Sequence, residues 1–162
     1  MKVYTIALFG HKQLFKKHIV MKRLYRYLKI KLEGKRVKVL IGTHGDFDKV
    51  ALSVCKKLKC EGYDICISLV FTSQKMLIKE MEEDKNFKYY NGVETMMYDI
   101  DGVHFKRQII ATNQKMVDNS DEVIVYNGYN RTYSGTRRIV EYAYNNNKCV
   151  NNLFEESDVK FE

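Results

Sequence analysis

The sequence predicts an α/β fold, a doubly wound and mainly parallel sheet of about five strands in a three-layer α/β/α arrangement. Three observations predict it. Short apolar runs of strand length alternate with longer segments of helical period along nearly all of the 162 residues. Glycine or small hydroxyl residues stand where three of those runs hand over to a helix. No Gly/Ser-rich linker interrupts the alternation, so 1–154 reads as a single domain, a size at which one full core forms.

The first strand is expected at 3–9 and runs into Gly10-His11-Lys12. Over 13–31 large side chains recur at Leu14, His18, Met21, Tyr25, Leu28 and Leu32, one helical stripe. Lys16, Lys17, Lys22, Arg23, Arg26 and Lys29 lie off that stripe, and His18 on it is expected to be half-buried. Strand two is Val37–Ile41, followed by the turn Gly42-Thr43-His44-Gly45-Asp46-Phe47-Asp48. A helix over 47–59 turns Val50, Ala51, Val54, Cys55 and Leu58 inward. Strand three covers 64–71, with Ile65, Ile67, Leu69 and Phe71 alternating, and the next helix is Gln74–Glu83.

Residues 84–103 show no clean period and are rich in Tyr, Met, Asn and Gly, as in a lid over a site or an inserted subelement. Helical spacing resumes over 104–117, strand four follows at 121–126, and a helix at 136–146 stands behind Ser134-Gly135-Thr136. A short fifth strand covers 148–153, and the acidic tail 155–162 is expected to fray.

Composition narrows the function classes. No run approaches the roughly 18 apolar residues of a membrane span. The N-terminal residues read as a strand and not as a signal peptide, so the expected location is the cytoplasm, with no membrane partner. Cys55, Cys60, Cys66 and Cys149 form no CxxC pair and are expected to be buried free thiols, with no disulfide framework or zinc site. No cofactor is expected. Asp99, Asp101 and His104 match no metal-ligand spacing, and neither a Walker sequence nor a Gly-x-Ser-x-Gly elbow occurs. The net charge of +8 is uneven, because residues 1–38 hold one acid, Glu33, among many Lys and Arg. That excess is either a solvated outer face or a patch for a polyanion.

In such folds ligands bind beyond the C-terminal strand ends, where the strand order reverses. With the order 3-2-1-4-5, Gly10-His11-Lys12 and Ser134-Gly135-Thr136 face each other across that crevice, flanked by the turn after strand two. The candidate ligand-binding residues are therefore Gly10, His11, Lys12, Gly42, Thr43, Gly45, Asp48, Arg131, Ser134, Gly135 and Thr136. The glycines either serve tight turns or let backbone N–H groups approach a phosphate. Ser134 and Thr136 are helix caps or phosphate contacts, two compatible roles. His11 either reaches a phosphate or ribose, or is an exposed loop residue. Lys12 either neutralises a phosphate or is one more surface charge of a basic segment, and Arg131 lies near enough to bind a diphosphate. Tyr129 and Tyr133 either stack on a base or are plain exposed loop residues. Asp48 either answers a helix dipole or accepts a hydrogen bond from a ribose hydroxyl or base amine.

Phe9-Gly10-His11, the turn Gly42–Asp48, Asn113 to Asp121, and Ser134-Gly135-Thr136 with Glu141-Tyr142-Ala143 together resemble the SLOG superfamily. That Rossmann-like group joins the Smf/DprA proteins and the LONELY GUY cytokinin-activating hydrolases. The chain is most similar to a short bacterial branch near the YpsA-type proteins. The resemblance runs from about Val3 to Leu153 and implies a nucleotide or nucleotide-derived ligand, with phosphate at the Gly135-Thr136 helix start. The hydrolase branch has Pro-Gly-Gly-x-Gly-Thr-x-x-Glu, whose Glu assists cleavage of an N-glycosidic bond. Here Ser134 replaces a glycine and Ile139 takes the place of the acid, while Glu141 points to another face of the helix.

The first functional expectation is thus a nucleotide-binding module that senses or sequesters its ligand. An alternative is an N-glycosidic-bond hydrolase or transferase, its acid drawn from Asp48, Glu94 or Asp99. A second alternative is nucleic-acid binding through the basic first helix, which no motif supports. Self-association through outer helices or the Tyr/Met-rich segment is an open expectation.

Overall fold

Among the described residues of the computed structural model six strands and five α-helices follow one another. They are β1 (Tyr4–Gly10), α1 (Lys17–Lys31), β2 (Val37–Ile41), α2 (Asp46–Cys60), β3 (Ile65–Phe71), α3 (Gln74–Glu83), β4 (Val93–Met97), α4 (Gln108–Asp118), β5 (Glu122–Tyr126), α5 (Gly135–Asn145) and β6 (Cys149–Asn152). The structure describes residues 3–83, 92–100, 102–128 and 135–159. The six strands form one parallel sheet in the order β4-β3-β2-β1-β5-β6. The five expected strands occupy the places the reversal at strand one requires, and β4 extends the sheet beyond β3.

Helices cover both faces, so the central strands are apolar on both sides and read as continuous hydrophobic runs. Successive residues of β1 show it. Ile6 and Leu8 pack with Val20, Leu24, Val54 and Leu58 of α1 and α2, while Ala7 and Phe9 pack with Met116, Val117, Ile139 and Ala143 of α4 and α5. No helix of the described residues is long and apolar enough to cross a membrane.

Three local expectations change. The inward stripe of α1 is Val20, Leu24 and Leu28, so His18 is exposed rather than half-buried, and Met21 is exposed too. Tyr25 stays at the margin, its ring beneath the ammonium groups of Lys29 and Lys57 at 5.8 and 4.8 Å from the centroid. The Tyr/Met-rich stretch contains a strand, β4, paired with β3 from Ile67↔Val93 to Phe71↔Met97. Only Val93 of its five residues is buried, as suits an outer strand.

The acidic tail is anchored as far as it is described. The Asp158 side chain, 3% exposed, accepts both terminal nitrogens of Arg23 and the Tyr126 hydroxyl at 2.8 Å. Burial pushes the Asp158 carboxyl up, but the bonds from Arg23, the Glu155 N–H and Tyr126 outweigh it and hold it below the usual carboxylate range. Phe154 packs edge-on against Tyr126, centroids 5.5 Å apart.

Candidate functional site

The chain leaves neighbouring strands β1 and β5 towards opposite faces of the sheet, which opens a crevice at their C-terminal ends. A cleft of about 570 Å³ lies there. One wall is Gly10, His11 and Lys12 after β1, a second is Gly42, His44, Gly45 and Asp48 after β2, and the third is Gly135 and Thr136 opening α5. Nine of the expected site residues fall among the described ones. Eight of these line the cleft, and Thr43 does not. Arg131 and Ser134, like Tyr129 and Tyr133, lie outside the described residues.

The glycines divide by what they face. A Cβ on Gly10 would sit 2.1 Å from the Phe47 ring, and one on Gly45 would sit 2.6 Å from the Lys12 Cα. Both let the loop after β1 press against the start of α2. A Cβ on Gly42 would come within 3.0 Å of the Asp48 carboxylate. Gly135 differs, since its Cβ would meet no described atom within 4 Å.

The turn after β2 is closed on itself. The Asp46 and Phe47 N–H groups donate to the carbonyls of Lys12 and His11 at 2.8 and 3.4 Å. Asp48 accepts the N–H groups of His44, at 2.8 Å, and Gly45. These amides, read from the sequence as able to approach a phosphate, are used to hold two loops together. Asp46 adds to the same clasp by accepting the Leu14 N–H at 3.1 Å. The anion-attracting end of the cleft is the start of α5, with the exposed Lys12 side chain among the other lining groups.

His11 is neither an exposed loop residue nor held by solvent. It is 1% exposed, and its Nε2 accepts the Gly128 N–H at 2.7 Å, which in the neutral ring puts the proton on Nδ1. The histidine thereby ties the end of β1 to the chain leaving β5. His44 places Nε2 3.2 Å from the Thr72 hydroxyl, and burial, with Lys12 nearby, lowers its pKa. Burial pushes Asp48 from 3.8 up to about 6, against the pull of its two amide donors.

The other expected carboxylates stand elsewhere. Glu94 lies early in β4, 3.5 Å from the Ser68 hydroxyl, and Asp99 is exposed beyond that strand, so neither lines the cleft. Of the three candidate acids only Asp48 does. Sequence reasoning missed Ile109 and Asn113 of α4 and Ile139 of α5, which also line the cleft. The spacing of Ile109, Asn113 and the buried Met116 was the available signal, because it marks one face of α4. Among the described residues no three His, Cys, Asp or Glu side chains gather as a metal site.

No protein-family model matches the chain, and no curated protein matches it at a significant level.

Proposed function

We propose that the protein binds a phosphorylated nucleoside or a nucleotide-derived small molecule in this cleft and acts as a sensor or sequestering module. The observation that carries the reading is the start of α5. Gly135 and Thr136 open the helix into the β1/β5 crevice, with no described atom within 4 Å of where a Gly135 Cβ would stand and with Lys12 lining the same cleft. A helix N-terminus and a nearby ammonium group favour a phosphate, Asn113 offers an amide, and Asp48 accepts hydrogen bonds from hydroxyl or amine donors. The cleft volume is that of small-molecule sites, about 300–1,000 Å³. The resemblance to the SLOG superfamily points the same way, and the loss of its hydrolase glutamate favours binding over cleavage.

The test is calorimetry with mononucleotides, NAD, ADP-ribose and cyclic nucleotides, with mass spectrometry of what is retained. The Gly135→Leu variant is expected to fold with an unchanged circular dichroism spectrum and to lose affinity by about tenfold or more, as filling a ligand's place does. Unchanged affinity removes the assignment.

A second reading, N-glycosidic-bond cleavage, is favoured by one observation. Asp48 lines the cleft with a pKa near the working range of a general acid. Release of free base from any panel member, abolished in Asp48→Asn with binding retained, would decide for it.

A further inference from the structure

Beside the cleft lies a second hollow of about 380 Å³, and the two share Gly42 and Asp48 as a common wall. Its lining has another character. Leu52 of α2, Leu69 and Phe71 at the end of β3, and Met76 of α3 make it largely apolar, with Thr43, Lys49 and Lys79 as polar points beside the shared Asp48. We infer that this hollow seats a nucleobase, so that the ligand of the cleft is a nucleoside phosphate and not a sugar phosphate or free phosphate. The inference rests on reading the cleft itself as the phosphate site.

Three observations carry it. First, neither a phosphate nor a ribose has apolar surface to bury against Leu52, Leu69, Phe71 and Met76, whereas the faces of a planar base do. The Met76 sulfur, 3.7 Å from the Thr72 hydroxyl, is a soft partner for such a ring. Second, the Thr43 hydroxyl oxygen is buried and has no hydrogen-bond partner among the described residues. A buried hydroxyl left so is costly, and the polar edge of a base supplies what it lacks. Third, Asp48 stands where the sugar between phosphate and base must pass. A carboxylate has about four lone-pair sites. The His44 and Gly45 amides use two, which leaves capacity for the two hydroxyls of a ribose diol.

The experiment compares calorimetric affinities for the four common ribonucleoside 5′-monophosphates, ribose 5-phosphate and inorganic phosphate. At least one nucleotide is expected to bind about tenfold more tightly than ribose 5-phosphate, the scale of one base on an apolar platform. Met76→Trp, a substitution at a partly exposed helix position that fills the hollow, is expected to erase that preference and leave ribose 5-phosphate unaffected. Thr43→Val, which removes only the hydroxyl, is the second variant and is expected to alter the ranking of the four bases. Equal binding of nucleotides and ribose 5-phosphate, with both lost in Gly135→Leu, overturns the inference and leaves the phosphate reading standing. A preference that survives both Met76→Trp and Thr43→Val overturns it as well. Absence of binding by every probe removes both readings.

Discussion

Two carboxylates, Glu122 and the half-buried Asp48, show how differently the same group is used in this molecule. Glu122 is fully buried at the start of β5, where it accepts the Tyr27 hydroxyl at 2.7 Å and the Asn151 amide at 2.6 Å, pairs with Lys31 at 3.3 Å, and has the Tyr4 hydroxyl at 3.5 Å. Removing one partner of a buried charge leaves the charge underserved. Tyr27→Phe should therefore cost roughly 1–3 kcal/mol of stability in urea denaturation, and Tyr4→Phe, with its longer contact, distinctly less. Asp48 instead rests on two backbone amides, and burial leaves its pKa at about 6. Between the unfolded value of 3.8 and that value the native state binds more protons than the unfolded one. Stability therefore falls as pH rises across this window, by at most about 3 kcal/mol. Ligand affinity should move the other way, rising from pH 5 to 7, because ribose hydroxyls need the charged carboxylate as acceptor. Lys12 and His44 on the cleft side, and Lys49 and Lys79 on the hollow side, also face this region. The difference between wild type and Asp48→Asn isolates the Asp48 contribution. Parallel pH profiles of melting temperature in the two proteins would contradict the assignment.

At the scale of elements, the C-terminal segment acts as a clasp. Phe154 occupies the space that a Cβ on Gly128 would need, 2.4 Å away, and the Gly128 N–H holds His11 in the cleft wall. Asp158 meanwhile joins Arg23 of α1 to Tyr126 of β5. Arg23→Ala, which leaves the buried Asp158 carboxylate without its cation, should destabilise by about 3 kcal/mol. Asp158→Ala should cost less, because Arg23 keeps the Leu153 carbonyl and Glu155, and the two should combine to less than their sum. Additive losses in the double variant would mean that the pair does not act as a unit. The sequence showed this clasp only as an acidic tail, since its partner Arg23 lies in a distant helix and looked like one more surface cation. The β1, β2, β3 and β5 strands were legible because each is an apolar run or alternation of adequate length, while the four residues of β6, ending in Asn151 and Asn152, are marked mainly by their place after the last helix. β4 was not legible, because Glu94 and Thr95 break the pattern on an outer strand. The cleft was legible as a set of turns, but the roles within it were not. A glycine that makes room for Phe47 and a glycine whose Cβ would meet no described atom look alike in sequence, and only the three-dimensional neighbour separates Gly10 from Gly135.

The whole molecule separates its charge from its cleft. Helices covering a parallel sheet run against the strands, so α1 and α2 point their C-termini to the end opposite the cleft. Their last turns hold Lys29 and Lys31, and Lys57 and Lys59, cations that answer the helix dipole there. The acids Asp46 and Asp48 stand in the first turn of α2, at the cleft end. Lys29 and Lys31 of the basic N-terminal segment thus have a local electrostatic reason and need no polyanion. Lys22, Arg26 and Lys29 are exposed on α1, and none lines the cleft. Reversing all three to Glu should leave nucleotide affinity within about twofold, since interactions beyond a Debye length of about 8 Å are largely screened at physiological salt. Nucleotide binding should also depend only weakly on salt, with a logarithmic slope below about one, because among the described residues the cleft presents a helix terminus and one exposed lysine in place of a phosphate-tracking groove. The same triple variant decides the opposing case. Oligonucleotide binding that falls steeply with salt and disappears on reversal would place the protein's work on the outer face of α1, and the cleft would then have to be explained by packing alone.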